Sequence, residues 1–369
     1  MSNVVHFASR ASGSVASERR GLSPAGLAPL LTAFAHHRRR PGDAFWLKEN
    51  AELLGILSAL GRKLPDLALA IYQPFQEGAA TQIALYPQYY RMILGVVTAL
   101  EDLGYPGDLG PRLAEWILSE GWPESEVNDL QRAEVRYLLA RNGVTWAPDG
   151  LDARLMRFVS RPETFALPNP RAAYDLLHVV FYLSHYGRQS LQLPQAALDS
   201  LVTLGSLAHL DQNGDLLAEV CLALRFCGAP LPPLWLQHLR HDAASLRVDG
   251  RPCEDSSDGY HNYLVNQWLL GTMGEFVFGV PATSGPMSFH VPRPVISPLR
   301  EFSQALLAPG FHRLGGWPAF RASCAQHVSP QALAAADAGA EGSPGFERFI
   351  QAFARLSQPL GPGPLKVLA

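Results

Sequence analysis

Three stretches place titratable side chains at helical spacing. In Arg171–Tyr186, closed by Gly187, a rotation of about 100° per residue puts Arg171, Asp175, His178, Tyr182 and His185 on one narrow stripe. Leu176, Leu177, Val179, Val180, Phe181 and Leu183 fill the other faces, so this is not the charged-outside pattern of a surface helix. The segment Asn213–Cys221 supplies Asp215, Glu219 and Cys221. Asp255–Asn262 supplies Asp258, Tyr260 and His261. Asp175 and His178 are three apart, as are Asp258 and His261, so each pair shares a helix face.

These residue types support three kinds of chemistry. As a metal centre, the imidazoles of His178 and His261 with Asp258, Asp215 or the Cys221 thiolate suit a divalent ion. Zinc is expected with the thiolate, and iron or copper without it. The acid one turn before each histidine then serves as its hydrogen-bond acceptor. As a metal-free centre, His178 and His261 exchange protons, Asp175 and Asp258 orient them, and Tyr182 donates to a developing oxyanion. In that arrangement His185, Glu219, Asp215 and Tyr260 line the substrate. As a structural network, the same groups fix helix register, with Asp258 acting as an N-cap.

The elements that must position these groups repeat along the chain. Apolar helical segments end at Gly61, Gly104, Gly143, Gly187, Gly228 and Gly271, with spacings of 43, 39, 44, 41 and 43 residues. Each glycine is expected to be a left-handed cap. Pro65, Pro106, Pro148, Pro194 and Pro230 follow five of them, and each leads to a second apolar segment. The unit reads helix, cap, turn, helix, and such hairpins bury their faces only by stacking. The expectation is an all-α fold with six α-hairpin repeats over residues 44–280, closed as an (α/α)6 toroid with first helices inside. Counting back from the glycines places Lys48, Arg91, Asp175, Asp215 and Asp258 at one level. Glu52, Glu134, His178, Glu219 and His261 lie a turn further on, so parallel inner helices would gather these groups at one mouth.

Residues 1–43 read as an N-terminal arm: residues 1–22 disordered, a short helix over 25–37, and a solvated basic end at His36–Arg40. Residues 281–369 read as a Pro-rich, lid-like segment that includes His290, followed by a helical C-terminal extension with patches at 299–308, 317–327 and 346–357. Asp211–Asp215 begins like a calcium loop, but Leu216 and Leu222 replace its glycine and glutamate, leaving turn and cap chemistry.

Composition excludes several classes. The 369 residues are 47% hydrophobic and 17% charged, ample for a globular core. A net charge of −3 provides no basic excess for nucleic acid. Cys221, Cys227, Cys253 and Cys324 form no paired framework, which suits a reducing cytoplasm, and Cys221 and Cys227 also read as core residues. No apolar run reaches the roughly 18 residues of a membrane span, and no signal peptide is read.

The six hairpins with acids, histidines and a cysteine at one end resemble the α/α toroids of terpenoid cyclases, protein prenyltransferase β-subunits and lanthipeptide cyclases. The resemblance covers residues 44–280. It implies a biosynthetic enzyme acting on a small-molecule, isoprenoid or peptide substrate. The zinc ligands of the prenyltransferases are an Asp, a Cys and a His, which implies Asp258, Cys221 and His261 here. The cyclase Cys-His-Gly signature is absent, because Cys227 adjoins Gly228 directly, and Gln267-Trp268 stands alone without the Asp-rich protonation motif. The rival expectation is a non-catalytic helical-repeat scaffold that holds a protein or peptide along an open groove.

Overall fold

A computed structural model of the chain describes residues 24–252, 258–275, 277–279, 285–291, 297–308 and 315–355. The fold is predominantly helical. In chain order the helices are α1 Pro24–Thr32, α2 Ala44–Ala59, α3 Asp66–Leu69, α4 Gln73–Leu85, α5 Tyr90–Leu103, α6 Leu109–Ser119, α7 Asp129–Arg141, α8 Leu151–Val159 and α9 Pro170–Leu183. There follow α10 Gln195–Leu210, α11 Gly214–Phe226, α12 Pro233–Ser245, α13 Tyr260–Thr272, α14 Pro298–Ala305, α15 Trp317–Cys324, α16 Pro330–Gly342 and α17 Phe346–Phe353. Two short strands, β1 Arg247–Asp249 and β2 Ser288–His290, pair antiparallel with Val248 opposite Phe289. No helix among the described residues is long and apolar enough to cross a membrane.

Local sequence explains how the site-bearing helices begin and end. Side chains of Asp43, Asn128, Asn169 and Asn213 accept hydrogen bonds from backbone N–H groups in the first turns of α2, α7, α9 and α11. Each satisfies a donor that the helix itself cannot pair. Gly61, Gly104, Gly143, Gly187 and Gly228 all have positive φ, as the spacing predicts. The sixth position differs: α13 runs through Gly271 to Thr272, and the left-handed residue is Gly274. Gly187 is constrained twice, by its φ of 79° and by Phe226, whose ring would lie 2.3 Å from an added Cβ.

Helix α2 packs on α5, α5 on α7, α7 on α9, α9 on α11 and α11 on α13, and α13 packs back on α2. Like ends meet. Ser58 donates to Asp102 at 2.5 Å and Arg141 pairs with the same carboxylate, joining the C-terminal ends of α2, α5 and α7. Arg225 donates to the Thr272 carbonyl at 2.6 Å, joining those of α11 and α13. At the other end Arg91 pairs with Glu134, and Glu52 with His261. Helix α6 packs on α5 and α7, and α12 on α11 and α13. In α11 every residue from Leu216 to Leu224 is buried, a helix enclosed on all sides.

Two expectations for the flanking regions change. Arg38 does not end a solvated basic run. The backbone widens into a π-helical turn over Ala33–His37 and delivers the guanidinium to the interior, where it pairs with Glu49 and Asp258. Helices α14–α17 pack mainly against one another and against α10 and α12, and no described residue beyond Trp268 lines the cavity between the six helices. Helix α16 was not expected. The expected disorder of residues 1–22, the thiol of Cys253, the Pro292 and Pro294 segment and the Gly/Pro tail at 359–364 lie outside the described residues.

Candidate functional site

A cavity of about 260 Å³ is lined by side chains from α2, α5, α7, α9, α11 and α13. Toward the N-terminal ends its wall carries Lys48, Glu52, Arg91, Glu134, His178, Glu219 and His261. Toward the other end it carries Ser58, Thr98, Tyr137 and Arg141, and between them stand Phe181, Tyr182, Tyr186 and Trp268. These rings pack as a set. Tyr137 stacks on Tyr182 at 5.8 Å and 25°, Tyr186 on Trp268 at 5.7 Å and 27°, and Phe181 meets Trp268 edge-on at 5.3 Å.

The chemistry concentrates on His261. Its Nε2 lies 3.2 Å from Glu219 Oε1 and 3.3 Å from Asp215 Oδ1, and its Nδ1 lies 3.4 Å from Glu52 Oε2. Tyr174 donates to the other Asp215 oxygen at 2.8 Å. Glu219 is buried, and its second oxygen has no hydrogen-bond partner among the described residues. Both ring nitrogens of His261 face carboxylates, the arrangement of an imidazolium with two N–H donors. Burial opposes its charge, but Glu219, Glu52 and Asp215 together push its pKa up. Asp215 is also pushed up, by burial and by the neighbouring carboxylates, against the pull of His261 and Tyr174. The cause is arithmetic. Three carboxylates around one imidazolium leave excess negative charge in a poorly solvated place, which favours either a retained proton or a bound cation. One ligand atom from each of Asp215, Glu219 and His261 lies within 4.8 Å of the other two, so these three could hold a metal ion.

The other expected site residues are distributed differently. His178 lines the cavity, but its Nδ1 bonds to the Tyr174 carbonyl at 2.8 Å, and Asp175, partly exposed, pairs with Arg171 at 3.9 Å. The Asp175–His178 pair is therefore not formed. Tyr182 is buried in the wall, and its hydroxyl pKa is raised well above the usual tyrosine value by burial.

Asp258 is withdrawn from His261 altogether. It holds Arg38 in a bidentate pair at 2.7 and 2.9 Å and accepts from Phe289 N–H at 3.2 Å. Arg38 also donates to Glu49 and to the Met287 carbonyl, each at 2.7 Å, and sits 5.0 Å over the rings of both Phe34 and Tyr260. Tyr260 thus belongs to this structural staple, and its hydroxyl bonds to Glu52 from behind the cavity wall. Cys221 is fully buried, and burial pushes its thiol up to about 12, so it is a core residue and not a ligand. The expected ligand set of His178, His261, Asp258 and Cys221 is not brought together. His185 lies beyond the end of α9 with φ of 51°, edge-on to Tyr137 at 5.4 Å.

Glu52, Tyr174 and the arginines Arg91, Arg141 and Arg188 were not singled out as site residues. Glu52 and Arg91 carried a signal, since they share the count-back levels of His261 and Asp258. Tyr174 and Arg188 carried none.

The family model of DUF6902, a domain of unknown function, matches residues 1–356, and the chain belongs to that family. No curated protein matches the chain, and no solved structure does.

Proposed function

We propose that this chain is an enzyme of α/α-toroid architecture that transfers a proton to and from a small organic substrate held between the six helices. The cyclic order of neighbours from α2 to α13 and back supports the toroid. The observation that carries the catalytic reading is His261 set among Glu52, Asp215 and Glu219, at 3.2–3.4 Å, beside an aromatic-walled cavity. Asp215, with its raised pKa, holds the proton behind the wall, and Glu219 and His261, which line the cavity, relay it to the substrate. His261 holds the neighbouring carboxylates in place and shares that proton, and Glu219 or Glu52 accepts the one returned. The aromatic faces favour an apolar or aromatic substrate body. Convergence of these side chains from six helices on one cavity supports an enzyme over a scaffold, whose polar stripe would run along an open groove. The free thiols of Cys221, Cys227 and Cys324 fit a cytoplasmic setting.

A second reading of the same cluster is a divalent metal on Asp215, Glu219 and His261, with Glu52 as acceptor for the His261 Nδ1–H. The metal would act as a Lewis acid toward the substrate.

The test is mass spectrometry of a small-molecule extract incubated with the purified chain and with the Glu219→Gln and His261→Ala variants. Compounds consumed by the wild type and spared by both variants are expected. Identical extracts for all three proteins would overturn the enzymatic reading. Elemental analysis of the same samples separates the two mechanisms, because only a metal centre shows near-stoichiometric ion that His261→Ala loses.

A further inference from the structure

The opposite end of the cavity has the reverse charge. Arg141, the last residue of α7, lines the cavity beside Ser58, Tyr137 and Tyr186. Its guanidinium pairs with Asp102 and donates to the Tyr137 hydroxyl at 2.5 Å. Arg188 reaches the same Asp102 oxygen at 3.4 Å and donates to Ser58 at 2.8 Å. Two guanidiniums therefore share one carboxylate. Arginine near a helix C-terminus is often explained by the helix dipole or by bonds to terminal carbonyls. The bonds Arg141 makes here are to side chains instead.

The surplus positive charge has effects on its neighbours. Burial and Arg188 together pull Arg141 down to about 10. His185 is held below the usual histidine range by burial and by Arg141, Arg188 and Arg136. Nearby in the wall, the buried indole N–H of Trp268 has no acceptor among the described residues. A ligand oxygen would satisfy it.

We infer that the Arg141 end of the cavity, with Arg188 behind it, binds an anionic group, so that the ligand is a small organic acid, a carboxylate or phosphate on an aromatic or aliphatic body. The head group takes the planar guanidinium donors that Asp102 leaves, the body lies along Tyr182, Tyr186 and Trp268, and its far part approaches His261. Calling this ligand the substrate rests on the proton-transfer reading above. Its binding does not.

Calorimetric titration of the full chain with benzoate and with phenyl phosphate tests this, with benzyl alcohol and benzylamine as neutral and cationic controls. At least one anion is expected to bind where neither control does, and which one binds identifies the head group. Arg141→Gln should weaken binding by about tenfold or more, as loss of a charge-assisted bond does. Asp102→Asn should tighten it, because the competing carboxylate is gone, and Glu275→Gln, at a surface pair with Arg240 outside the cavity, should leave it unchanged. If Arg141→Gln does not give a cooperative melt, Arg188→Gln carries the same expectation. Anions that bind no better than benzyl alcohol, or an affinity indifferent to both arginines, would overturn the inference. Anion binding without any turnover dependent on Glu219 would remove the catalytic reading and leave this one standing. Such turnover without anion binding would do the reverse.

Discussion

Arg38 and Asp258, 220 positions apart in the chain, form a bidentate ion pair at 2.7 and 2.9 Å from which water is excluded. The pair ties the N-terminal arm to the start of α13, and Glu49 ties both to α2. It therefore fixes the rim beside His261 without entering the cavity.

Removing one partner from such a network strands the others without solvation. Arg38→Ala leaves Glu49 and Asp258 buried with less compensation and should destabilise the protein by about 3–5 kcal/mol. Urea unfolding monitored by circular dichroism measures this, and a loss below about 1 kcal/mol would show that the pair is not the staple described.

The pH dependence around His261 has a definite sign. A histidine whose folded pKa is raised contributes stability that is complete below its unfolded value, near 6.5, and is lost as pH rises through the folded value. The gap in melting temperature between wild type and His261→Gln should therefore narrow from pH 7 to pH 10. By NMR, the ring should remain an imidazolium at pH 8, and Glu219→Gln should lower its pKa.

His209 behaves oppositely. Burial, and then His238 at 5.5 Å, pull it down to about 4. Neither ring nitrogen has a hydrogen-bond partner among the described residues. The unfolded chain binds the proton more readily, so stability is complete above about pH 6.5 and falls toward pH 4. His209→Leu should flatten that acid limb, as read from unfolding midpoints at pH 7 and pH 5.

Gly205 lies inside α10 where alanine would ordinarily favour the helix. Its missing Cβ is occupied by Trp235, whose ring would lie 2.2 Å from it and is fully buried. Gly205→Ala should cost about 1–3 kcal/mol by overpacking, more than the roughly 1 kcal/mol of helix propensity it gains. A rise in melting temperature would contradict this packing.

Much of the architecture was legible because it is written in local chemistry. Apolar runs set helix length, Asn and Asp open the helices, and glycines at about 42-residue intervals end them. Period alone placed Glu52, Glu134, His178, Glu219 and His261 at one level, and all five line the cavity. The sixth cap was misplaced by three residues because Leu270-Gly271 looks like a terminus, yet α13 continues through it.

Pairing across helices was not legible. Asp258 and His261 share a helix face by spacing, yet Arg38 takes the one and Glu52, Asp215 and Glu219 surround the other. Likewise Asp175 and Cys221 have ligand-type side chains, but one pairs with Arg171 and the other is sealed in the core. The sequence by itself determined the six helices that line the cavity and which residues share a face on each, since both follow from a 3.6-residue period and capping. Only the tertiary structure decided which charges meet. That choice depends on groups far apart in the chain, whose burial is tolerated only where an opposite charge or a hydrogen bond compensates it.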